Sequence, residues 1–142
     1  MKAPAAKADT VELFGYPVSG RGASGDIEFA SRALDSGSGP CVVACANPHS
    51  LVIASRDGEF QDALREADLL LPDGSGITMA ARILNLPIRE KVAGSDFFRE
   101  FCRYAESSGR AGRGVRFFFL GSSPIVLERI VNRLQVEYPG IA

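Results

Sequence analysis

Short apolar runs alternate along this chain with stretches in which apolar residues recur every three to four positions. Val11 to Phe14 is the first run and reads as an opening strand. Ile27, Ala30 and Leu34 follow at the i, i+3, i+7 spacing of an amphipathic helix, which Gly37 ends. Cys41 to Cys45 (CVVAC) is a continuous apolar run, the pattern of a strand covered on both faces. Asn47-Pro48 places an N-cap residue before a proline at the first helical position, opening a helix with Leu51, Val52 and Ile53. Asp57 caps another, along which Phe60, Ala63, Leu64 and Ala67 align. Leu69 to Leu71 is a second buried strand, cut off by Pro72-Asp73-Gly74, and Ile77, Ala80, Ala81 and Leu84 resume the helical period. Ser95 is expected to cap a helix with Asp96 in its first turn, favourable for the helix dipole, and with an apolar stripe of Phe97, Phe98, Phe101, Cys102 and Ala105. Val115 to Leu120 (VRFFFL) is the strongest strand pattern. Gly121-Ser122-Ser123-Pro124 turns it into a last helix with Leu127, Ile130, Val131 and Leu134 inward.

Strands alternating with helices predict an α/β fold: a Rossmann-like three-layer domain with a mostly parallel sheet and helices on both faces. Residues 41–45, 69–71 and 115–120 are its expected central strands, their carboxyl ends opening onto one cleft. No internal repeat or second domain is visible. Residues 1–10, rich in Ala, Lys and Pro, read as a flexible arm without a secretory h-region, and residues 11–142 as one domain. Tyr138-Pro139-Gly140-Ile141-Ala142 reads as a turn entering a further strand, so that domain is expected to be incomplete at its C-terminal end. The apolar last helix beside an unpaired sheet edge predicts a homo-oligomer.

Composition narrows the class. The 142 residues are 46% hydrophobic and 23% charged, as in a soluble globular protein. Lys plus Arg total 16 against 17 for Asp plus Glu, so the basic excess of a nucleic-acid binder is missing. No apolar run approaches the roughly 20 residues that cross a bilayer. Cys41 and Cys45, four apart on one strand, stand roughly 13 Å from each other, too far to bridge. Together with Cys102 and His49 they lack the close pairs of a zinc site, and reduced thiols are expected.

In an open parallel sheet, ligands bind beyond the carboxyl ends of the strands. Three segments reach that edge: Cys45-Ala46-Asn47, Pro72-Asp73-Gly74-Ser75-Gly76 and Gly121-Ser122-Ser123. Asp73 stands out, because Pro72 stiffens the backbone before it while Gly74 and Gly76 let a substrate approach the main chain. A carboxylate there either caps the following helix or acts as general base, and spacing alone leaves both readings open. Gly121-Ser122-Ser123-Pro124 offers helix N–H groups to a phosphate without the lysine of a P-loop. His49 alone would have to serve a Ser-His-Asp hydrolase, and it reads instead as a first-turn helix residue. Arg82, Arg89 and Lys91 form either a phosphate-facing patch or a solvated face.

The run ADLLLPDGSGITMAARILNLPIREKVAGSD, Ala67 to Asp96, resembles the WecG/TagA/CpsF family of bacterial glycosyltransferases. So do ANPHSLVIASRDGEFQDALREAD before it and VRFFFLGSSPIVLERIVNRLQVEYPGI after it, in the family's order. The resemblance implies inverting transfer of an N-acetylmannosamine or related hexose or N-acetylhexosamine from a UDP-sugar to an undecaprenyl-diphosphate-linked acceptor. It implies surface polysaccharide or teichoic acid synthesis in the cytoplasm at the inner face of the plasma membrane, peripheral membrane contact, no cofactor and no metal. By the same resemblance Asp73 is the catalytic base. Cys45, Asn47, Gly74, Gly76, Arg89, Lys91, Gly94, Ser95, Asp96, Gly121 and Ser122 line the substrate cleft. Cys45 stands where Thr is common, and Lys91 where Arg is usual, which keeps charge but loses bidentate geometry. Gly109 to Gly114 is a longer loop than most members show, and a "GAPKQE" segment and basic tail are not in this sequence. The alternative expectation is a nucleotide-sugar-binding module of the same fold without turnover.

Overall fold

The computed structural model describes residues 9–37, 39–107 and 115–141. Its elements run β1 (Thr10–Leu13), β2 (Tyr16–Ser19), α1 (Gly22–Ser36), β3 (Val43–Ala46), α2 (Pro48–Ala54), α3 (Gly58–Glu66), β4 (Leu69–Pro72), α4 (Ser75–Ile83), α5 (Gly94–Ser107) and α6 (Pro124–Glu137). Two compact units divide the chain between Phe97 and Phe98.

In the first unit β3 and β4 form a parallel ladder that pairs Val43 with Leu69 and Ala46 with Pro72. Side chains alternate across it. Ala46 and Leu70 pack with Ala54 of α2, Leu64 of α3, Ile77 and Ala81 of α4, and Leu13 and Val18 of the β1–β2 hairpin. Leu69 and Leu71 point the other way, into a cluster with Val92 that Ala23 and Phe29 of α1 and Phe97 complete. Helices thus cover both faces of the ladder, which is why CVVAC and LLL show no polar alternation. The fold is α/β, and its parallel sheet is two strands wide among the described residues.

The expected strand at Val11–Phe14 is one arm of an antiparallel hairpin. Leu13 pairs with Tyr16, and Phe14 (φ 54°) and Gly15 (φ 80°) make the two-residue turn between them. Left-handed φ at both central positions matches the right-handed twist of the strands. Phe14 replaces the usual Asn or Asp there, so the sequence carries no hairpin signal. The next strand lies at Val43–Ala46 rather than Cys41–Cys45. Gly37 ends α1 in the left-handed conformation, as its place after the stripe predicts. Leu34, however, is 44% exposed, while Asp26 and Ser31 are buried beside Ala30.

Asp26 is inward because Ser19 Oγ donates to its Oδ1 at 2.5 Å. Its Oδ2 is buried with no hydrogen-bond partner. Burial pushes this carboxyl above the usual carboxylate range, Glu90 adds to the rise, and Ser19 and Arg21 oppose it. Folding therefore favours the protonated form, and the fold weakens progressively as pH rises from the ordinary Asp value to the raised one. Asp26→Asn, which keeps an acceptor for Ser19, is expected to raise Tm at neutral pH by about 2–4 °C. The gain should shrink to nothing on acidification toward the ordinary Asp value. A lower Tm for the variant at neutral pH would contradict this.

Caps follow the sequence more closely. Asn47 caps α2 in a reciprocal capping box with Ser50, with Pro48 at the first position. Asp57 Oδ1 accepts the Phe60 N–H at 3.0 Å. Ser95 is a correction: α5 begins at Gly94, so Ser95 lies inside the first turn and is not the cap.

The second unit holds most of α5, all of α6 and the segment between them. Cys102, Ala105, Tyr138 and Ile141 form its buried cluster, with Phe98, Val115, Phe117 and Leu134 packed against it. Burial pushes the Cys102 thiol up to about 11. Val115–Leu120 makes no strand ladder among the described residues. Phe117 and Phe119 set their rings edge-on to Phe98, with centroids 5.6 and 6.0 Å away, while Phe118 is 88% and Leu120 92% exposed. A strand pattern yields a doubly covered strand only when both faces find cover, and here one does. In α6 Leu127, Ile130 and Leu134 are half-buried and Val131 is exposed. Tyr138 and Ile141 close a turn through the Ile141 N–H donating to the Tyr138 carbonyl at 3.0 Å. Residues 1–8 of the expected arm and the Gly109–Gly114 loop lie outside the described residues. No helix among those described is long and apolar enough to cross a membrane.

Candidate functional site

Parallel pairing puts the carboxyl ends of β3 and β4 at one edge, and both chains turn there into helices. The Asp73 N–H donates to the Ala46 carbonyl at 2.9 Å, locking the two exits side by side. Asn47 and Asp73 therefore share an edge, as the strand pattern predicts.

Asp73 is half-buried, and α4 is capped by Gly74, with no side-chain capping bond. The capping reading of Asp73 falls. Gly74 has φ 91°, a conformation a side chain would strain. No described residue donates a hydrogen bond to the Asp73 carboxylate, so it is available to a substrate proton.

Asn47 is half-engaged. Its Oδ1 accepts the Ser50 N–H at 2.8 Å, while Ser50 Oγ accepts the Asn47 N–H at 2.9 Å. The cap fixes the side chain and leaves the two Nδ2 hydrogens for a ligand.

Cys45 and Gly94 pack against each other beside this edge. A Cβ on Gly94 would lie 2.9 Å from Cys45 Sγ, so the start of α5 can rest against the thiol only without a side chain. Burial pushes the Cys45 thiol up and the neighbouring Asp73 charge adds to the rise, against a hydrogen bond from the Gly94 backbone. A raised value keeps the thiol in its protonated form at neutral pH.

Gly76 meets Pro48, a contact that the spacing of the sequence does not show. A Cβ there would sit 2.6 Å from Pro48 Cγ, against a ring that cannot rotate away. Gly76→Ala is expected to cost about 1–3 kcal/mol and to push the Asp73 turn away from Asn47. Chemical denaturation reads the first effect and ligand affinity the second; an unchanged midpoint would refute the contact.

Val92 ties a further segment to this edge, its N–H donating to the Pro72 carbonyl at 2.9 Å. Arg89 and Lys91 lie on that segment and are exposed, as is Arg82 on α4. Ser95 and Asp96 are exposed in the first turn of α5. Gly121 (φ 103°) and Ser122 (φ 67°) belong to the second unit, where they form the exposed turn before α6. His49 sits exposed in the first turn of α2, as expected. The three cysteines form no disulfide among the described residues. No three His, Cys, Asp or Glu side chains gather as metal ligands among the described residues. Pro48, packed against Gly74 and Gly76, is the edge residue that sequence reasoning missed.

The chain is similar to known proteins. Over 100 residues the chain is 30% identical to the N-acetylglucosaminyldiphosphoundecaprenol N-acetyl-beta-D-mannosaminyltransferase of Bacillus subtilis (strain 168), covering 70% of this chain and 37% of the relative. The protein of the same name from Bacillus spizizenii is 30% identical over 108 residues, 76% of this chain and 40% of the relative. That of Staphylococcus aureus (strain NCTC 8325 / PS 47) is 24% identical over 100 residues, 70% of this chain and 37% of the relative. The chain thus spans well under half the length of these relatives. A sequence model of the glycosyl transferase WecG/TagA/CpsF family matches residues 11–142, and with it the chain belongs to that family.

Proposed function

We propose that this chain carries the catalytic edge of an inverting sugar transfer from a UDP-N-acetylhexosamine, of the N-acetylmannosamine type, to an N-acetylglucosamine linked through diphosphate to a polyprenol. The observation that carries the reading is the Asp73 carboxylate, held at the β3–β4 edge by a glycine cap that leaves it unengaged. Asp73 takes the proton of the acceptor hydroxyl. That oxygen forms the new bond to the anomeric carbon as the bond to UDP breaks on the opposite face. One base suffices for a single displacement, and the anomeric centre inverts.

UDP leaves with negative charge developing on its phosphate oxygens. Lys91 and Arg89, on the segment that Val92 ties to β4, supply positive charge at that edge, and the α5 first turn supplies backbone N–H groups. Asn47 Nδ2 orients a substrate oxygen. With cations of the protein in that role the reaction needs no metal, and EDTA is expected to leave turnover unchanged; restoration of a lost rate by a divalent cation would refute this point. The decisive experiment incubates the protein with a panel of UDP-sugars and a lipid-diphosphate-N-acetylglucosamine analogue, and reads the products by mass spectrometry. A disaccharide from one UDP-N-acetylhexosamine supports the proposal. UDP-sugar binding without any disaccharide would favour the binding-module alternative.

A further inference from the structure

α1 is 15 residues long, yet its N-terminus has no cap of its own. Arg21, at the N-cap position, makes no side-chain capping hydrogen bond, and the first turn holds no acidic residue. The missing acceptor comes from far along the chain. Glu90 Oε1 accepts the Ala23 N–H at 2.6 Å, across a separation of 67 residues. Gly22 makes the approach possible: its φ is 76°, and a Cβ there would lie 2.4 Å from the same Oε1. An anionic acceptor at this end also meets the positive pole of the helix.

Two residues later the Val92 N–H donates to the Pro72 carbonyl, the last residue of β4 before Asp73. Glu90 and Val92 are thus both anchored, one by its side chain to α1 and the other by its backbone to β4. Lys91 sits between the two anchors and Arg89 immediately before them. We infer that Glu90 is a positioning residue: by capping α1 it pins the Arg89–Val92 segment, and so fixes where Lys91 and Arg89 present their charge relative to Asp73. The inference rests on the reading of Lys91 and Arg89 as donor-phosphate ligands. Glu90 touches no substrate in this scheme and acts through its neighbours.

The test uses the full chain, with UDP as the probe in calorimetry and amide hydrogen exchange as a readout independent of any ligand. Glu90→Ala removes the acceptor. The Ala23 and Val92 amides are then expected to exchange faster, and UDP affinity to fall roughly tenfold or more, as for a displaced charge-assisted phosphate contact. Glu90→Gln, which keeps an acceptor oxygen, should restore both. Because Glu90 works through its neighbours, Glu90→Ala in an Arg89→Ala, Lys91→Ala background should weaken UDP binding no further. Unchanged Val92 exchange in Glu90→Ala would overturn the inference, as would a full additional loss of affinity in the background lacking both cations. If the unaltered protein fails to bind UDP while Glu90→Ala still frees Val92, the donor reading falls and the clamp stands.

Discussion

Asp73→Asn is expected to lower turnover by on the order of 10²–10⁴-fold while leaving affinity for the UDP-sugar nearly unchanged. The amide keeps the shape of the carboxylate and can still accept a hydrogen bond, but it cannot remove the acceptor proton. The structure sharpens this experiment. Gly74 caps α4, and the Asp73 side chain holds no capping bond, so the variant loses no helix cap. Its Tm should stay close to that of the unaltered protein, which separates loss of chemistry from loss of fold. Rate and Tm measured together on the one variant decide the matter. Near-normal turnover would remove Asp73 as the base and leave the edge without a proton acceptor.

The second large effect concerns the strand that holds Asp73 in place. Leu70→Ala is expected to cost about 2–5 kcal/mol of folding stability, by lost transfer free energy and by the cavity left behind. Leu70 is 1% exposed, at the centre of a cluster to which α2, α3, α4 and the hairpin all contribute. No single neighbour can move in without breaking its own contacts. A typical domain of this size is stable by roughly 5–15 kcal/mol, so the loss is a large share of the whole. Phe118→Ala serves as the contrast: the ring is 88% exposed, and its removal should hardly move the denaturation midpoint. A Leu70→Ala midpoint as little changed as that of Phe118→Ala would mean that this cluster is not the core of the first unit.

Local chemistry was legible in the sequence wherever a residue acts on its immediate neighbours. Asn47-Pro48, Asp57 and Gly37 start or stop helices through hydrogen bonds and backbone angles within one turn, and all three do so in the fold. The unbroken apolar runs at the second and third expected strands announced burial on both faces, and with it a parallel ladder whose carboxyl ends meet. From that ladder alone Asp73 and Asn47 belong at one edge.

What the sequence could not carry were relations between residues distant along the chain. Spacing could not tell that Gly74, with φ 91°, and not Asp73, is the N-cap of α4. Val115–Leu120 has the composition of a central strand, but composition says nothing about whether a second face is covered; here Phe98 covers one. Asp26 occupies an inward position that a period of apolar residues assigns to something else, because Ser19, on another element, offers it a donor. Phe14 holds a left-handed turn position because the pairing of Leu13 with Tyr16 imposes it. The capping of α1 by Glu90 joins residues 67 apart. Short-range hydrogen bonds and side-chain periodicity are set by the order of residues, and so the sequence by itself determined the α/β class, the helix ends at Gly37, Asn47 and Asp57, and the shared edge of Asn47 and Asp73. Which side chain caps which helix, which apolar face is covered and which carboxylate stays free depend on elements brought together only by folding, and those the tertiary structure alone decided.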